Sequence, residues 1–417
     1  MQNKNSGMTV KKKGKIIMKF KTNFEELKNA INTIGKGVKK NTIITPTVRF
    51  EAAGDKLILS SNSGIGVKIE ISAVVKEDGV FVSTFSSINI ISIRKCTGDV
   101  TAESSDSVLV LKYRGGKAKT VLTAVDENLY TAIPEVPEDA LSVEIPVTTM
   151  KQMVKETLFA SETEQSSDLH SVKMDIEDDE DGLIKLKLSA CDGKSLAVRT
   201  AYAVKKGTYT GSTVLLPEDL KMAMAIIDGN ESVTVSIAEK KIFMSAGSVL
   251  TVFQEVSKSF PNLASLLNTK ACSFSVEVDK AELLEALNCA IYLQNEQKLV
   301  NGATTSITFD FKDGQVGVGC AGLTDYSEDL EAKTDGKFPG TVMFNAALLK
   351  DIVSIYPSDK VIIGGSDEKS PFWICAGENE EYTYCVLPRF RKYFICKHKS
   401  KEPLLGSLLF FFKLLKF

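Results

Sequence analysis

The feature that most constrains this sequence is an internal repeat. Three segments open alike, each with a short strand pattern running into an amphipathic helix: MKFKTNFEELKNAINTIGKGV from Met18, LSVEIPVTTMKQMVKETLFAS from Leu141 and CSFSVEVDKAELLEALNCAIYL from Cys272. In the helical parts apolar residues recur at three- and four-residue spacing: Leu27, Ala30 and Ile31; Met150, Met153 and Val154; Leu283, Leu284 and Leu287. That spacing gives each helix one face to bury. A strand pair over a Gly-Asp or Asp-Gly turn follows in FEAAGDKLILSS, MDIEDDEDGLIKLKLSA and FDFKDGQVGVGCA, a hairpin signal because these dipeptides accept tight-turn angles. A second helix comes next, in SSINIISIRK, PEDLKMAMAII and NAALLKDIVSIY. Each unit closes on another hairpin, in SVLVLKYRGGKAKTVLTAV, SVTVSIAEKKIFMSAGSVLTVF and PFWICAGENEEYTYCVLP. The period is roughly 125 residues, the size of a domain and longer than that of a solenoid.

This order predicts an α+β fold in which two helices per unit pack on antiparallel sheets. The expected divisions are a flexible leader at 1–17, domains at 18–139, 140–270 and 271–391, and an atypical apolar and basic tail at 392–417. The end of that tail, LLGSLLFFFKLLKF, is shorter than the roughly 20 residues that span a bilayer, so no membrane partner is expected. Sheet edges left by such units invite aggregation unless each pairs with the next unit, and closure into a ring is one way to remove them.

Composition removes several function classes. The chain is 43% hydrophobic and 25% charged with a net charge of −2, the profile of a soluble globular protein. Eight scattered cysteines include no C-x-x-C pair, which argues against a zinc ribbon and for a reducing, cytoplasmic setting. Only two histidines occur, His170 and His398, and no Ser/His/Asp or Cys/His arrangement can be placed. GVGCAG (Gly317 to Gly322) matches a dinucleotide fingerprint by letter, but no helix opens at its last glycine, so it reads as a strand and turn. A Walker A sequence is missing and the acidic run Glu177 to Asp181 lacks calcium-loop spacing. No catalytic residue, metal or cofactor is expected.

The segments ACDGKSLAV, SFPNLASLL (Ser259 to Leu267) and YCVLPRFR (Tyr384 to Arg391) resemble three signature stretches of the bacterial DNA sliding clamp, the beta subunit of DNA polymerase III and its phage relatives. The resemblance runs from about Met18 to Arg391 and includes the triple repeat. It implies a six-domain ring made by a head-to-tail homodimer, which encircles double-stranded DNA without reading its sequence and confers processivity without catalysis. The implied partners are a DNA polymerase catalytic subunit, a clamp loader ATPase and other proteins carrying a clamp-binding motif. A non-catalytic three-domain protein-binding scaffold, without DNA encirclement, is the alternative.

Carried over residue by residue, the partner-peptide pocket implied by the resemblance takes Leu169, Cys191, Gly193, Lys194, Ser195 and Leu196 from the hairpin region of the second repeat. Pro261, Ser265 and Leu266 join from its end, and Cys385, Leu387, Pro388, Arg389, Phe390 and Arg391 from the end of the third. Lys194-Ser195 departs from the His-Arg or similar pair usual in the family, Ser265 stands where an arginine is common, and family chains usually end near Arg391. The helices expected to face DNA carry Lys28, Lys36, Lys39, Lys40, Lys151, Lys155, Lys221, Lys280, Lys298 and Lys350, with Arg94 and Lys95 ending the second helix of the first repeat. A basic lining attracts phosphates without reading bases. For the dimer interface, Lys112, Arg114, Lys117 and Lys119 are expected to meet Asp325, Glu328, Asp329 and Glu331 around Tyr292 and Leu293, at the end of the third repeat's first helix.

Overall fold

The computed structural model describes residues 17–39, 45–178, 183–206, 210–263, 266–267, 272–301, 307–321, 324–376 and 381–389. Its helices, among these residues, are α1 (Phe24–Gly37), α2 (Phe85–Ile88), α3 (Val147–Thr157), α4 (Pro217–Ile227), α5 (Lys280–Asn301) and α6 (Ala346–Ile355). The passage from strand into first helix is set by a capping side chain. Asn23 Oδ1 accepts from the backbone N–H groups of Glu25 (2.8 Å) and Glu26 (3.3 Å). In the third repeat Asp279 Oδ1 accepts from those of Ala281 (2.9 Å) and Glu282 (3.2 Å). Both satisfy donors that a helix start leaves open, and both place acidic residues at the positive end of the helix dipole. The bond from Glu282 N–H is also the main reason the Asp279 carboxyl titrates below its usual range, with Lys360 adding to it.

Packing divides the chain into two compact units, one of residues up to Val147 with Lys221–Gln254, the other of Thr148–Leu220 with the chain from Glu255 onward. In the first unit a five-stranded sheet runs in the order Val74–Glu77, Lys19–Asn23, Asp99–Ser104, Val108–Tyr113, Ala118–Thr123. A second sheet runs Gly79–Thr84, Thr47–Ala53, Lys56–Asn62, Gly66–Ser72 and then continues into the second repeat through Val249–Gln254, Lys241–Ala246, Ser232–Ala238 and Leu141–Pro146. The join is antiparallel, with Gly66 opposite Val252 and Ile69 opposite Val249. Helix α1 buries Phe24, Leu27, Ala30, Ile31 and Ile34, each worth about 1.5–3 kcal/mol for the larger side chains. At Gly37 a Cβ would fall 2.4 Å from Val67 Cγ2, so only glycine allows this approach of helix to sheet.

The second unit has the same construction. Its long sheet runs Gly211–Leu215, Val172–Asp178, Ile184–Cys191, Ser195–Lys205, and continues into the third repeat through Tyr382–Val386, Phe372–Ala376, Lys360–Gly365, Phe274–Asp279 and the far end of Tyr326–Gly336. A companion sheet holds Thr341–Phe344, Ile307–Lys312, Gln315–Cys320 and the near end of Tyr326–Gly336. The third-repeat core is aromatic: Phe344 and Phe372 meet edge-on at 4.8 Å between centroids, and Phe311 stacks on Phe372 at 5.8 Å.

The α+β class and the repeated strand–helix–strand order are those read from the sequence. Two elements differ. SSINIISIRK forms only α2 and a 3-10 turn at Asn89–Ile91, because clustered isoleucine and serine weaken helix propagation. Arg94 and Lys95 therefore lie beyond the helix, both exposed. The second repeat closes on three strands, Ser232–Ala238, Lys241–Ala246 and Val249–Gln254, where the sequence suggested a hairpin. The extra turn is made by Glu239 and Lys240, both at positive φ (50° and 59°), a two-residue hairpin loop that normally takes glycine or asparagine. The tail expected at 392–417 falls outside the described residues, as does the leader expected at 1–17 except for Ile17, whose N–H donates to the Ser104 carbonyl at 3.2 Å.

Left-handed backbone costs a non-glycine residue about 1–2 kcal/mol. Lys240→Gly should therefore stabilise the protein by roughly 0.5–1 kcal/mol after the added chain entropy of glycine. A higher urea midpoint by circular dichroism is the expected result; a lower one would contradict the strain.

Candidate functional site

The turn that the sequence singles out, ACDGKSL, joins strands Ile184–Cys191 and Ser195–Lys205. One oxygen organises it: Asp192 Oδ1 accepts from the N–H of Lys194 (2.9 Å), the N–H of Ser195 (2.6 Å) and the hydroxyl of Ser195 (3.0 Å). Gly193 takes φ 77°, which suits glycine. The acid is thus a turn-former. The chain leaving strand Tyr382–Val386 is stitched to this turn, since Leu387 N–H donates to the Lys194 carbonyl at 2.9 Å.

Strand register then assembles an apolar site. Cys191 lies opposite Leu196, Leu196 opposite Cys385, and Cys385 opposite Trp373, so the four share one face of the sheet. Leu169, Val198, Leu263, Leu266 and Leu387 complete a buried cluster, with Phe260, Leu267 and Cys375 packed at its margin. Of the expected pocket residues, Leu169, Cys191, Leu196, Leu266, Cys385 and Leu387 belong to the cluster. Gly193 lies against Leu169, whose Cδ1 is 3.7 Å from where a Cβ would be. Ser195, Pro261 and Pro388 are buried, while Lys194 and Arg389 are exposed; Ser265, Phe390 and Arg391 lie outside the described residues. Leu169 comes from the loop between α3 and strand Val172–Asp178, where the sequence placed it in the hairpin region. Val198, Leu263, Phe260 and Trp373 were missed. Val198 follows from strand alternation after Leu196, whereas Trp373 is reached only through cross-strand register.

With Leu196 fully buried and Leu169 and Leu387 only 7% and 8% exposed, the site is a floor with nearly closed margins. Burial pushes the Cys191 thiol up to about 12, with Asp192 adding to the effect, and raises Cys385 above the ordinary thiol range.

Next to this floor lies a buried ion pair. Arg199 Nε donates to the Glu156 carboxylate at 2.9 Å, with both side chains almost fully buried. The guanidinium lies 3.8 Å over the Tyr382 ring, and Nη2 donates to its hydroxyl at 3.0 Å. Nη1 donates to the Thr200 carbonyl, and Gln152 donates to the Glu156 carboxylate. One arginine therefore binds together α3, the Ser195–Lys205 strand and the Tyr382–Val386 strand.

The basic residues expected to face DNA fall into two groups. Lys28 and Lys36 on α1, Lys151 and Lys155 on α3, Lys221 on α4, Lys280 on α5 and Lys350 on α6 are helical, and Lys39 follows α1. Two of them are engaged by backbone: Lys36 Nζ donates to the Ala225 carbonyl at 2.8 Å and Lys280 Nζ to the Tyr356 carbonyl at 2.5 Å. Each thus places a cation at the negative end of a second helix, α4 or α6. Lys151, Lys155 and Lys221 are exposed and Lys28 is half-buried. Lys40 and the Lys298 side chain lie outside the described residues.

The residues expected at a subunit interface sit beside two strand edges, one in each unit. Among the described residues, Ala118–Thr123 pairs only with Val108–Tyr113, and this edge carries Lys119 with Lys117, Arg114 and Lys112 near it. Residues 326–331 pair only with Gln315–Cys320 and carry Glu328, Asp329 and Glu331, with Asp325 just before. Beside the acidic edge, Asn288, Cys289, Tyr292, Leu293 and Tyr326 line a depression of about 460 Å³. Tyr292 is 65% exposed. Helix α5 continues to Asn301, so Tyr292 and Leu293 lie within it and not at its end.

No family model matches the chain. Among curated proteins it is similar to the beta sliding clamp of Bacillus subtilis, 21% identical over 390 residues that cover 89% of this chain and 99% of that protein. The beta sliding clamp of Chlamydia trachomatis is 21% identical over 363 residues, covering 85% and 83%. Among solved structures, the DNA polymerase sliding clamp from Bacillus subtilis matches with a TM-score of 0.79 at 19% identity, over 90% of this chain and 100% of that one. The DNA polymerase III beta chain from Streptococcus pneumoniae matches with a TM-score of 0.77 at 19% identity and the same coverage. The chain therefore has the fold of the bacterial sliding clamps along nearly their whole length.

At pH 8 a thiol titrating at about 12 is ionised in roughly one molecule in ten thousand. Iodoacetamide applied to the native protein at pH 8 should label the exposed Cys272 and Cys289 and leave Cys191 and Cys385 unmodified until urea is added, as read by peptide mass spectrometry. Labelling of Cys191 at the rate of Cys272 would show that the floor opens freely.

Proposed function

We propose that this chain is a DNA sliding clamp: a processivity factor, without a catalytic group of its own, that tethers a DNA polymerase to duplex DNA. The observation that carries this reading is the match of the three-repeat fold to sliding clamps from end to end of those proteins, at TM-scores of 0.77 and 0.79. Domains at 18–139, 140–270 and 271–391 are the divisions we assign. Two chains close head to tail, the lysine-bearing edge at Ala118–Thr123 of one meeting the acidic edge at 326–331 of the other. Both edges are one-sided and opposite in charge, so pairing them removes two aggregation-prone edges and fixes register at once.

Lys28, Lys151, Lys155, Lys221 and Lys350 face the enclosed DNA and hold phosphate without reading bases, while Lys36 and Lys280 are committed to helix ends. The cluster around Leu196 receives short peptides from the polymerase and from other partners, which anchor leucine or aromatic side chains in it. A clamp loader ATPase opens the ring. No helix among the described residues is long and apolar enough to cross a membrane, and we place the protein in the cytoplasm with the DNA it serves.

The test combines assembly with topology. Sedimentation should give twice the chain mass. Loaded by a clamp loader ATPase, the protein should co-elute with nicked circular plasmid in gel filtration and be lost when the plasmid is cut. Changing Lys28, Lys155 and Lys221 together to glutamate should reduce retention on the circle without changing the sedimentation mass. Equal retention on circular and linear DNA, or none on either, would favour a protein-binding scaffold.

A further inference from the structure

The wall of the apolar floor that holds Leu169 has no regular structure of its own. Residues 161–171 cross from the end of α3's 3-10 extension to strand Val172–Asp178 as turns and bends. Where Leu169 stands is therefore decided by whatever fixes that backbone. Three of its carbonyls, those of Gln165, Ser167 and His170, converge on a single point, and the ammonium of Lys258 fills it. Lys258 Nζ donates to them at 2.8, 2.7 and 3.1 Å respectively. An ammonium has three N–H donors, so these three bonds use its full capacity.

Lys258 stands in the segment that follows strand Val249–Gln254 and leads into Phe260, Leu263 and Leu266, which border the same cluster. One side chain thus ties the loop carrying one wall of the site to the segment carrying the next. A half-buried lysine with its charge spent on backbone carbonyls is not a solvated surface charge. A second tie comes from His170, whose Nδ1 lies 2.7 Å from the Glu162 carbonyl and whose Nε2 lies 3.0 Å from the Glu218 carboxylate. That tie fixes the loop to itself and to the first turn of α4, and leaves the link to the opposite margin to Lys258.

We propose that Lys258 is a positioning residue for partner-peptide binding: it holds the 161–171 backbone so that the Leu169 side chain can turn aside for an incoming residue while the wall itself stays in place. The inference rests on the peptide-pocket reading above. Without the ammonium, the three converging carbonyls lose their shared donor, Ser167 keeping only the His170 N–H at 3.1 Å, and the loop relaxes toward water. Binding then has to restore that order, a cost that appears as lost affinity.

The experiment uses the full chain and a fluorescein-labelled peptide rich in glutamine, leucine and phenylalanine, read by anisotropy, with amide hydrogen exchange on the unliganded protein. Lys258→Met should bind about tenfold more weakly, the scale of one charge-assisted hydrogen bond. It should exchange faster in 161–171, with strand Ile307–Lys312 unchanged as a control for folding. Lys258→Arg, which keeps charge and donors, should recover most of the affinity. Parental affinity in Lys258→Met would overturn the proposal. So would equal weakening in Lys258→Met and Lys258→Arg with exchange in the loop unaltered, because the lysine would then act on the peptide and not on the loop. If the parent and Leu387→Ala are alike in failing to bind, the pocket reading itself falls and this proposal with it.

Discussion

The structure depends on one arrangement: the sheet of each repeat is continued by the next. Ser195–Arg199 pairs with Tyr382–Val386, and Gly66–Ile69 pairs with Val249–Val252. Each join satisfies backbone groups that an isolated repeat would leave as an open edge. The site inherits its geometry from this. The row Cys191, Leu196, Cys385, Trp373 exists only because strands from two repeats share a register. A slip of one residue would turn Leu196 to the other face and dissolve the floor. The surface proposed to receive partners is therefore built at the position where the chain must be most precisely aligned.

That precision is supported by a charge, which is unusual for so dry a location. Arg199 and Glu156 are both removed from water, and desolvating an ion pair offsets much of its attraction. What the pair supplies is specificity of arrangement. Removing either partner leaves a buried charge alone, a loss of about 3–5 kcal/mol in comparable settings. The Arg199 guanidinium also lies 3.8 Å over the Tyr382 ring, two residues along the strand from Tyr384. Apolar packing alone would tolerate a shifted strand; an arginine that must meet a carboxylate, a ring and a hydroxyl tolerates very little.

How much of this could be read in advance follows from the range of the forces. Local signals were legible: the Gly-Asp and Asp-Gly hairpins and the amphipathic first helices all arise within a few residues. The class and the repeat follow from them. Leu169, Leu196 and Leu387 came from family resemblance, and the structure brings them together. Trp373 and Val198 complete the same cluster, but Trp373 joins through pairing with Cys385, information that belongs to two strands at once. The Arg199–Glu156 pair is likewise invisible in sequence, where AVRTA is only an interrupted strand pattern. The short α2 was misread because Ile and Ser at helical spacing mimic an amphipathic face while opposing helix propagation.

The near-neutral charge of the chain bears on the proposed mode of action. A protein that holds DNA by affinity needs many phosphate contacts, and its binding then falls steeply with salt. A ring holds DNA by enclosure, so its lining has only to avoid repelling phosphate and to favour no single register. A few exposed lysines, such as Lys155 and Lys221, suit that task better than a dense basic patch, which would slow sliding. In the proposed ring the acidic edge at 326–331 and the lysine-bearing edge at Ala118–Thr123 meet each other, so these charges are spent on closure and not on DNA. On this reading a net charge of −2 is compatible with holding DNA, because topology supplies the retention that charge would otherwise have to provide.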